Sequence, residues 1–164
     1  MYIIRRATPE EVKKLRCVAN YQFRENVAHH LIPEDVYMKI SRNTGRVREI
    51  LNIEGIRIAS IRASTYTFNL SFYGASILHR VTKKLRVVVT SEVAEDVVKG
   101  SSVFSRHVIS VDDDLRAGDE VLVVDECDNL LCVGRLVLSP YEVMFFTRGV
   151  AVKLRECRGV PSEC

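Results

Sequence analysis

No stretch of this 164-residue chain approaches the ~18 consecutive apolar residues that a membrane-spanning helix needs. No charged-then-apolar leader opens it. Both absences point to a soluble, cytoplasmic protein with no membrane partner. The five cysteines (Cys17, Cys127, Cys132, Cys157 and Cys164) are odd in number and include no CxxC pair. Cys127 and Cys132 have no second pair or histidine cluster at ligand spacing to complete a zinc site, and the adjacent His29 and His30 diverge on any regular element. Buried or incidental thiols are expected, with a disulfide as the lesser alternative. Nothing assembles a thiol, an orienting group and a base such as His79 or His107, which argues against a cysteine-based enzyme. Asp112-Asp113-Asp114 is followed by no spaced ligand pattern and reads as a loop. No metal and no cofactor are expected.

What is present is ordinary globular material. With 47% hydrophobic and 27% charged residues, the chain can bury the core of one domain or of two small ones. The net charge of +3 conceals a division. Residues 1–85 hold 15 Lys and Arg against 7 Asp and Glu, a balance of +8, whereas residues 86–164 hold 9 against 14, a balance of −5. Such asymmetry suggests two domains, with a polyanion lying along the first.

Thr8-Pro9-Glu10-Glu11 is a helix start: a capping threonine, proline in the first turn and glutamate at the box position. Val12, Leu15, Val18 or Ala19, and Phe23 then recur at helical spacing, with Lys13, Lys14 and Arg16 largely off that stripe. Pro33 ends any continuation. Strands are predicted at 36–40, 46–50, 56–62 and 66–70, with hairpin chemistry at Ser41-Arg42-Asn43-Thr44-Gly45 and a short helix from Gly74 to Leu78. Ile56, Ile58 and, after a slip in the alternation, Ile61 are expected to point inward, with Arg57 outward. The result is a helix-on-antiparallel-sheet unit. It carries a cationic ridge of Arg42, Arg46 and Arg48, with Arg57 and Arg62 on neighbouring strands. Alternation places Arg46 and Arg48 on one face, where two guanidiniums would grip successive phosphates. A solvated sheet face is the plainer alternative, but only Glu49 and Glu54 lie nearby to neutralise these arginines, which favours RNA.

Residues 81–85 form a joint with little Gly or Pro, so the halves are expected to pack together. A β-branched strand at 86–90 leads to a helix over 92–99 capped by Ser91, and Gly100 ends it. A strand over 103–111 follows. The turn between them presents free amides and hydroxyls beside Lys99, Arg106 and His107, a seat for a phosphate. Further strands are predicted at 120–125, 130–138 and 150–155, with a bulge at Gly134 and a capped helix from Ser139 to Phe146. The tail is expected to be loose. The predicted core of this half is Val87, Val89, Val97, Phe104, Val108, Val121, Val123, Leu136, Val150 and Val152, in a small, partly open β-barrel with two brief helices.

The order of these motifs resembles the PUA domain, an RNA-binding module. The residues that carry the resemblance are Lys99-Gly100 with Val103-Phe104, Gly118-Asp119-Glu120-Val121, Val133-Gly134-Arg135, Ser139 with Glu142, and Arg148-Gly149-Val150-Ala151-Val152. Ala19-Asn20-Tyr21-Gln22-Phe23, the stretch from Ser41 to Arg48, and Gly74-Ala75 are similar to the domain that precedes PUA in archaeal tRNA-guanine transglycosylase. The resemblance implies an α+β protein with a pre-PUA domain at 1–84, a PUA domain at 85–157 and a tail at 158–164. That enzyme's catalytic barrel, with its aspartates and zinc site, has no counterpart in 164 residues, so the resemblance carries over an RNA-binding role and not the activity. It implicates Lys99, Gly100, Val103, Phe104, Arg106 and His107 in RNA contact, with Arg148, Gly149, Lys153 and Arg155 from the other side. Core packing is the plainer expectation for the Phe104 ring, and a helix C-terminal charge for Arg148. The expected function is non-catalytic binding of RNA, tRNA above all, in support of archaeosine modification by a separate transglycosylase. The alternative is a protein-interaction subunit of an RNA-modification or translation-related complex.

Overall fold

A computed structural model describes residues 1–24 and 26–159. All of the expected loose tail except Arg158 and Gly159 lies outside the described residues. The chain divides into two compact units, Met1–Thr82 and Lys83 onwards. The architecture is α+β.

The first unit runs β1 (Tyr2–Arg6), α1 (Pro9–Phe23), α2 (Ala28–Leu31), β2 (Tyr37–Ser41), β3 (Val47–Leu51), β4 (Arg57–Ile61), β5 (Phe68–Leu70) and α3 (Phe72–Val81). Its five strands pair in chain order, all antiparallel. α1 starts as its sequence requires: the Thr8 hydroxyl accepts from the Glu11 amide, and Val12, Leu15, Ala19 and Phe23 are buried. In register, Met38, Ile50, Ala59 and Leu70 form one buried row across the sheet. The next row, Lys39, Glu49, Ser60 and Asn69, faces the other way.

Two expectations fail here for identifiable reasons. β1 escapes the sequence reading because it is an edge strand exposed at every position, so it carries no alternating burial signal. Ile56 is exposed, outside the sheet, and Ile61 is half-buried, leaving Ile58 as the fully buried member of the three. The cause is a register shift between β3 and β4, where Leu51 pairs with Arg57 and Ile58 is passed over. The Ile58 carbonyl thereby meets α3. It accepts from the Ser71 amide and hydroxyl, and a Cβ on Gly74 would run into it. Gly74 is thus a point of close helix–strand approach. Side chains from the pre-PUA motif tie the helices down: Gln22 makes both hydrogen bonds to the Phe68 backbone, at 2.7 and 2.8 Å, and Asn20 Oδ1 accepts from the Ala28 amide.

The second unit runs β6 (Arg86–Val89), a 3₁₀ turn (Ser91–Val93), α4 (Ala94–Val98), β7 (Val103–Phe104), a 3₁₀ turn (Ser105–His107), β8 (Val108–Val111), β9 (Glu120–Val124), β10 (Leu130–Leu136), α5 (Pro140–Phe145) and β11 (Val150–Cys157). The six strands lie in the order β7-β11-β10-β9-β6-β8, with only β6–β9 parallel. The two outermost strands, β7 and β8, are neighbours in the chain, so the sheet curls into a nearly closed barrel whose seam is the Ser105–His107 turn. Backbone bonds fasten that seam on both sides: Ser105 N–H donates to the Gly149 carbonyl and Thr90 N–H to the His107 carbonyl, each at 3.0 Å.

The single strand expected at 103–111 is broken by this turn, and the helix expected at 92–99 is shorter and lacks a Ser91 cap. Of the predicted core, Val87, Val89, Val97, Val108, Val121, Val123, Leu136 and Val152 are buried, while Val150 is half-buried and Phe104 is 38% exposed. Both exceptions lie beside the seam, where the barrel wall has no further strand to cover them.

The Gly134 bulge is present: the β10–β11 register shifts between Val133 and Gly134. A Cβ there would strike the Lys153 carbonyl and crowd Val152. Gly134→Ala is expected to destabilise the barrel by about 1–3 kcal/mol, because backbone cannot yield as a flexible side chain can. A urea midpoint equal to that of the parent would contradict this. Finally, Cys132 and Cys157 form a disulfide between β10 and β11, against the expectation of incidental thiols. They are 25 residues apart in sequence but directly opposite in register, a relation visible only once the strands are paired. Cys17 and Cys127 are free and exposed.

Candidate nucleic-acid interface

The seam gathers the residues that sequence singled out. Phe104 closes β7, and Arg106 and His107 lie on the 3₁₀ turn. The Arg106 guanidinium carbon sits 5.7 Å from the Phe104 ring centroid, within cation–π range. His107 meets the same ring edge-on at 6.2 Å, and Arg106 Nε donates to His107 Nε2 at 3.2 Å. An aromatic ring, a guanidinium and an imidazole therefore form one cluster on the barrel surface. It corrects the expectation that Phe104 packs inward: the ring is held by its neighbours while remaining open to solvent.

Val103 is fully buried and pairs with Val152, so its part is to anchor β7. Lys99 and Gly100 end α4 in a Schellman motif, with Gly100 N–H donating to the Val97 carbonyl at 2.9 Å and Ser101 N–H to the Asp96 carbonyl at 3.1 Å. Gly100 has φ +93°, which the motif requires. These two amides are consumed by the helix end, so the Gly100 and Ser101 N–H groups are not part of a phosphate seat; exposed Lys99 lies beside them. Arg148 and Gly149 precede β11, and the Gly149 carbonyl holds the seam. Lys153 is exposed on β11 opposite Arg135. Among the described residues Lys99, Arg106, Arg148 and Lys153 make no ion pair.

Arg155 is different. Its Nη1 donates to Glu120 Oε2 at 2.7 Å and its Nη2 to Oε1, a two-pronged grip on a carboxylate whose side chain is 2% exposed. Its guanidinium is committed to holding that buried charge.

In the first unit, Arg42 and Arg46 are exposed on the β2–β3 turn and its exit. The expected shared face of Arg46 and Arg48 is interrupted. Ile40 pairs with Val47 and Lys39 with Glu49, leaving half-buried Arg48 as the extra residue of a bulge, while Arg46 precedes the strand. Arg57 and Lys39 both approach Glu49, at 3.8 and 3.3 Å, so part of the ridge is internally neutralised.

Sequence reasoning missed one feature of the second unit. Tyr141 and Phe145 stack on α5 with centroids 6.1 Å apart, and Phe146 meets Phe145 edge-on at 5.6 Å. Tyr141 and Phe145 are 78% and 67% exposed. The signal was legible: two aromatics at i and i+4 on a helix whose one buried residue is Val143, with a third directly after its end.

Comparison with known proteins agrees with this division. Residues 13–84 match the patch-forming domain C2 of tRNA-guanine transglycosylase, and residues 85–158 match the PUA domain. A tRNA-guanine(15) transglycosylase of Thermoplasma acidophilum is 42% identical over 149 residues, covering 90% of this chain and 23% of that protein. The Thermococcus onnurineus enzyme is 35% identical over 162 residues, covering 97% and 27%. The chain thus spans about a quarter of the length of the curated relatives it matches. A hypothetical protein from Pyrococcus horikoshii shares the fold with a TM-score of 0.71 at 20% identity, covering 94% of each chain. A PUA-domain structure from Aeropyrum pernix does so at 0.69 and 16%, covering 98% of this chain and 89% of that one. The chain is a PUA-domain protein in which a C2-type transglycosylase domain precedes the PUA barrel, matching the C-terminal region of archaeal tRNA-guanine transglycosylases.

Proposed function

We propose that the protein binds RNA without catalysing a reaction on it, and that tRNA is its RNA. The observation that carries the reading is the seam cluster of Phe104, Arg106 and His107. Arg148 and Lys153 adjoin the residues that pair with it and Lys99 precedes it, none of the three in an ion pair among the described residues. An exposed ring accepts a base by stacking, and the guanidinium over it adds charge for the adjoining phosphate. His107 supplies a hydrogen-bonding edge beside them. In the first unit Arg42, Arg46 and Arg48 extend the phosphate contacts at separate points rather than as one ridge. The naming of the relatives as tRNA-guanine(15) transglycosylases supports tRNA, and because the chain spans only about a quarter of their length, its proposed role is to assist archaeosine modification in the cytoplasm beside a separate catalytic protein.

The test is binding of the full chain to bulk tRNA at about 50 and 200 mM salt. If six or more phosphates are neutralised, affinity falls by about a thousandfold across that range. Absence of binding at the lower salt removes the proposal.

The exposed aromatics of α5 favour a second reading, docking of a protein partner. Tyr141→Ala with Phe145→Ala separates the two: it would abolish partner capture while leaving the salt-dependent tRNA affinity within about twofold.

A further inference from the structure

We infer that a half-open cleft along α1 in the first unit is a nucleotide-binding site, taking a phosphate on its cations and a base or ribose on its apolar lining. The cleft has a volume of about 600 Å³, within the range of small-molecule sites. One face of α1 supplies Pro9, Val12, Lys13, Arg16, Cys17 and Asn20, whose spacing repeats every three to four residues. That face extends over about 16 Å. Arg6 of β1 adds a third cation, and His29 and Glu34 complete the lining.

The charge is unbalanced. Three cations face one carboxylate, and among the described residues neither Arg6 nor Lys13 makes an ion pair. Arg16 is fixed in place, its Nε donating to the Ile32 carbonyl at 2.9 Å. A concave wall with an excess of positive charge concentrates the field toward an incoming anion, and guanidiniums match phosphate geometry. A bare anion would leave the rest of the cleft unused. Exposed Pro9, with the small apolar surface left by the largely buried Ala7 and Val12, makes the apolar part of the lining, to which Asn20 also belongs. The Asn20 carbonyl oxygen is occupied by the Ala28 amide, which leaves its Nδ2 to donate toward a base edge. Phosphate-binding cations beside an apolar lining and an amide donor are elements of nucleotide recognition. The nucleotide is either free in solution or one residue of an RNA strand. The inference does not depend on RNA binding at the PUA seam, because a free mononucleotide tests it directly.

Cys17 is free, exposed and part of the cleft, whereas Cys127 is free, exposed and outside it. The native protein, with its disulfide intact, therefore carries its own reporter and its own reference. A timed alkylation with iodoacetamide is read at each cysteine by peptide mass spectrometry, in the presence of adenosine 5′-monophosphate, a single-stranded oligoribonucleotide or inorganic phosphate. At a ligand concentration about five times its Kd, Cys17 alkylation is expected to slow about sixfold while Cys127 is unchanged. Protection by the mononucleotide assigns a soluble ligand, and protection by the oligonucleotide alone assigns a strand; either supports the site. Arg6→Glu with Lys13→Glu, both at exposed positions, is expected to abolish protection, read as the ratio of each protein's protected rate to its own unprotected rate, while leaving the circular dichroism spectrum intact. Three outcomes overturn the inference: no protection by either nucleotide probe, protection that survives the charge reversal, or inorganic phosphate protecting as well as the nucleotide.

Discussion

Replacing Arg155 with alanine is expected to cost the PUA barrel about 3–5 kcal/mol, because it strands a buried carboxylate. Glu120 lies at the start of β9 with its side chain 2% exposed, and both of its oxygens are held by the Arg155 guanidinium. A net stability of about 5–15 kcal/mol leaves little reserve against such a loss. Urea unfolding of the parent, Arg155→Ala, and Arg155→Ala combined with Glu120→Leu measures the effect. The double variant should recover most of the loss, since an apolar residue at position 120 leaves no charge to compensate. The comparison also decides what Arg155 is for. If the single variant is as stable as the parent but binds tRNA more weakly, Arg155 is an RNA contact and the ion pair is incidental.

Arg155 marks where the sequence stops being informative. Basic residues near a recognisable motif look alike in one dimension, and Lys153 and Arg155 carry the same alternation signal on β11. Only the pairing of β9, β10 and β11 shows that one guanidinium reaches a buried glutamate 35 residues away while the other cation stays open. The disulfide was hidden for the same reason. Local chemistry read more reliably. The Thr8 and Ser139 caps, the Gly100 helix end and the Gly134 bulge each follow from a few neighbouring residues, and each is present. Alternation failed around two bulges that carried no local signal, for Arg48 itself and for Ile56 and Ile61 on either side of Ile58, because one inserted residue shifts the facing of its neighbours. Phe104 failed differently. Its apolar character predicted burial, but it stands at the seam of a barrel that does not quite close, where covering surface runs out.

That exposed position gives the second large effect. Phe104→Ala combined with Arg106→Ala is expected to weaken tRNA binding about a hundredfold or more. Stacking contributes about 1–3 kcal/mol per base, and removal of the guanidinium takes away both its phosphate contact and its hold on the ring. Stability should change little, because Phe104 contributes a half-open ring rather than core volume, and the seam is fastened by the backbone amides of Ser105 and Thr90. The two single variants separate the contributions. Arg106→Ala should flatten the salt dependence by about one counterion, whereas Phe104→Ala should lower affinity at every salt concentration with the slope unchanged. A Phe104→Trp variant keeps a stacking surface and should retain binding, which distinguishes recognition of a base from mere shape. If both single variants bind like the parent while the fold is intact, the seam is not the RNA site. The contact must then be sought among the arginines of the first unit, where Arg42→Ala and Arg46→Ala would carry the loss instead.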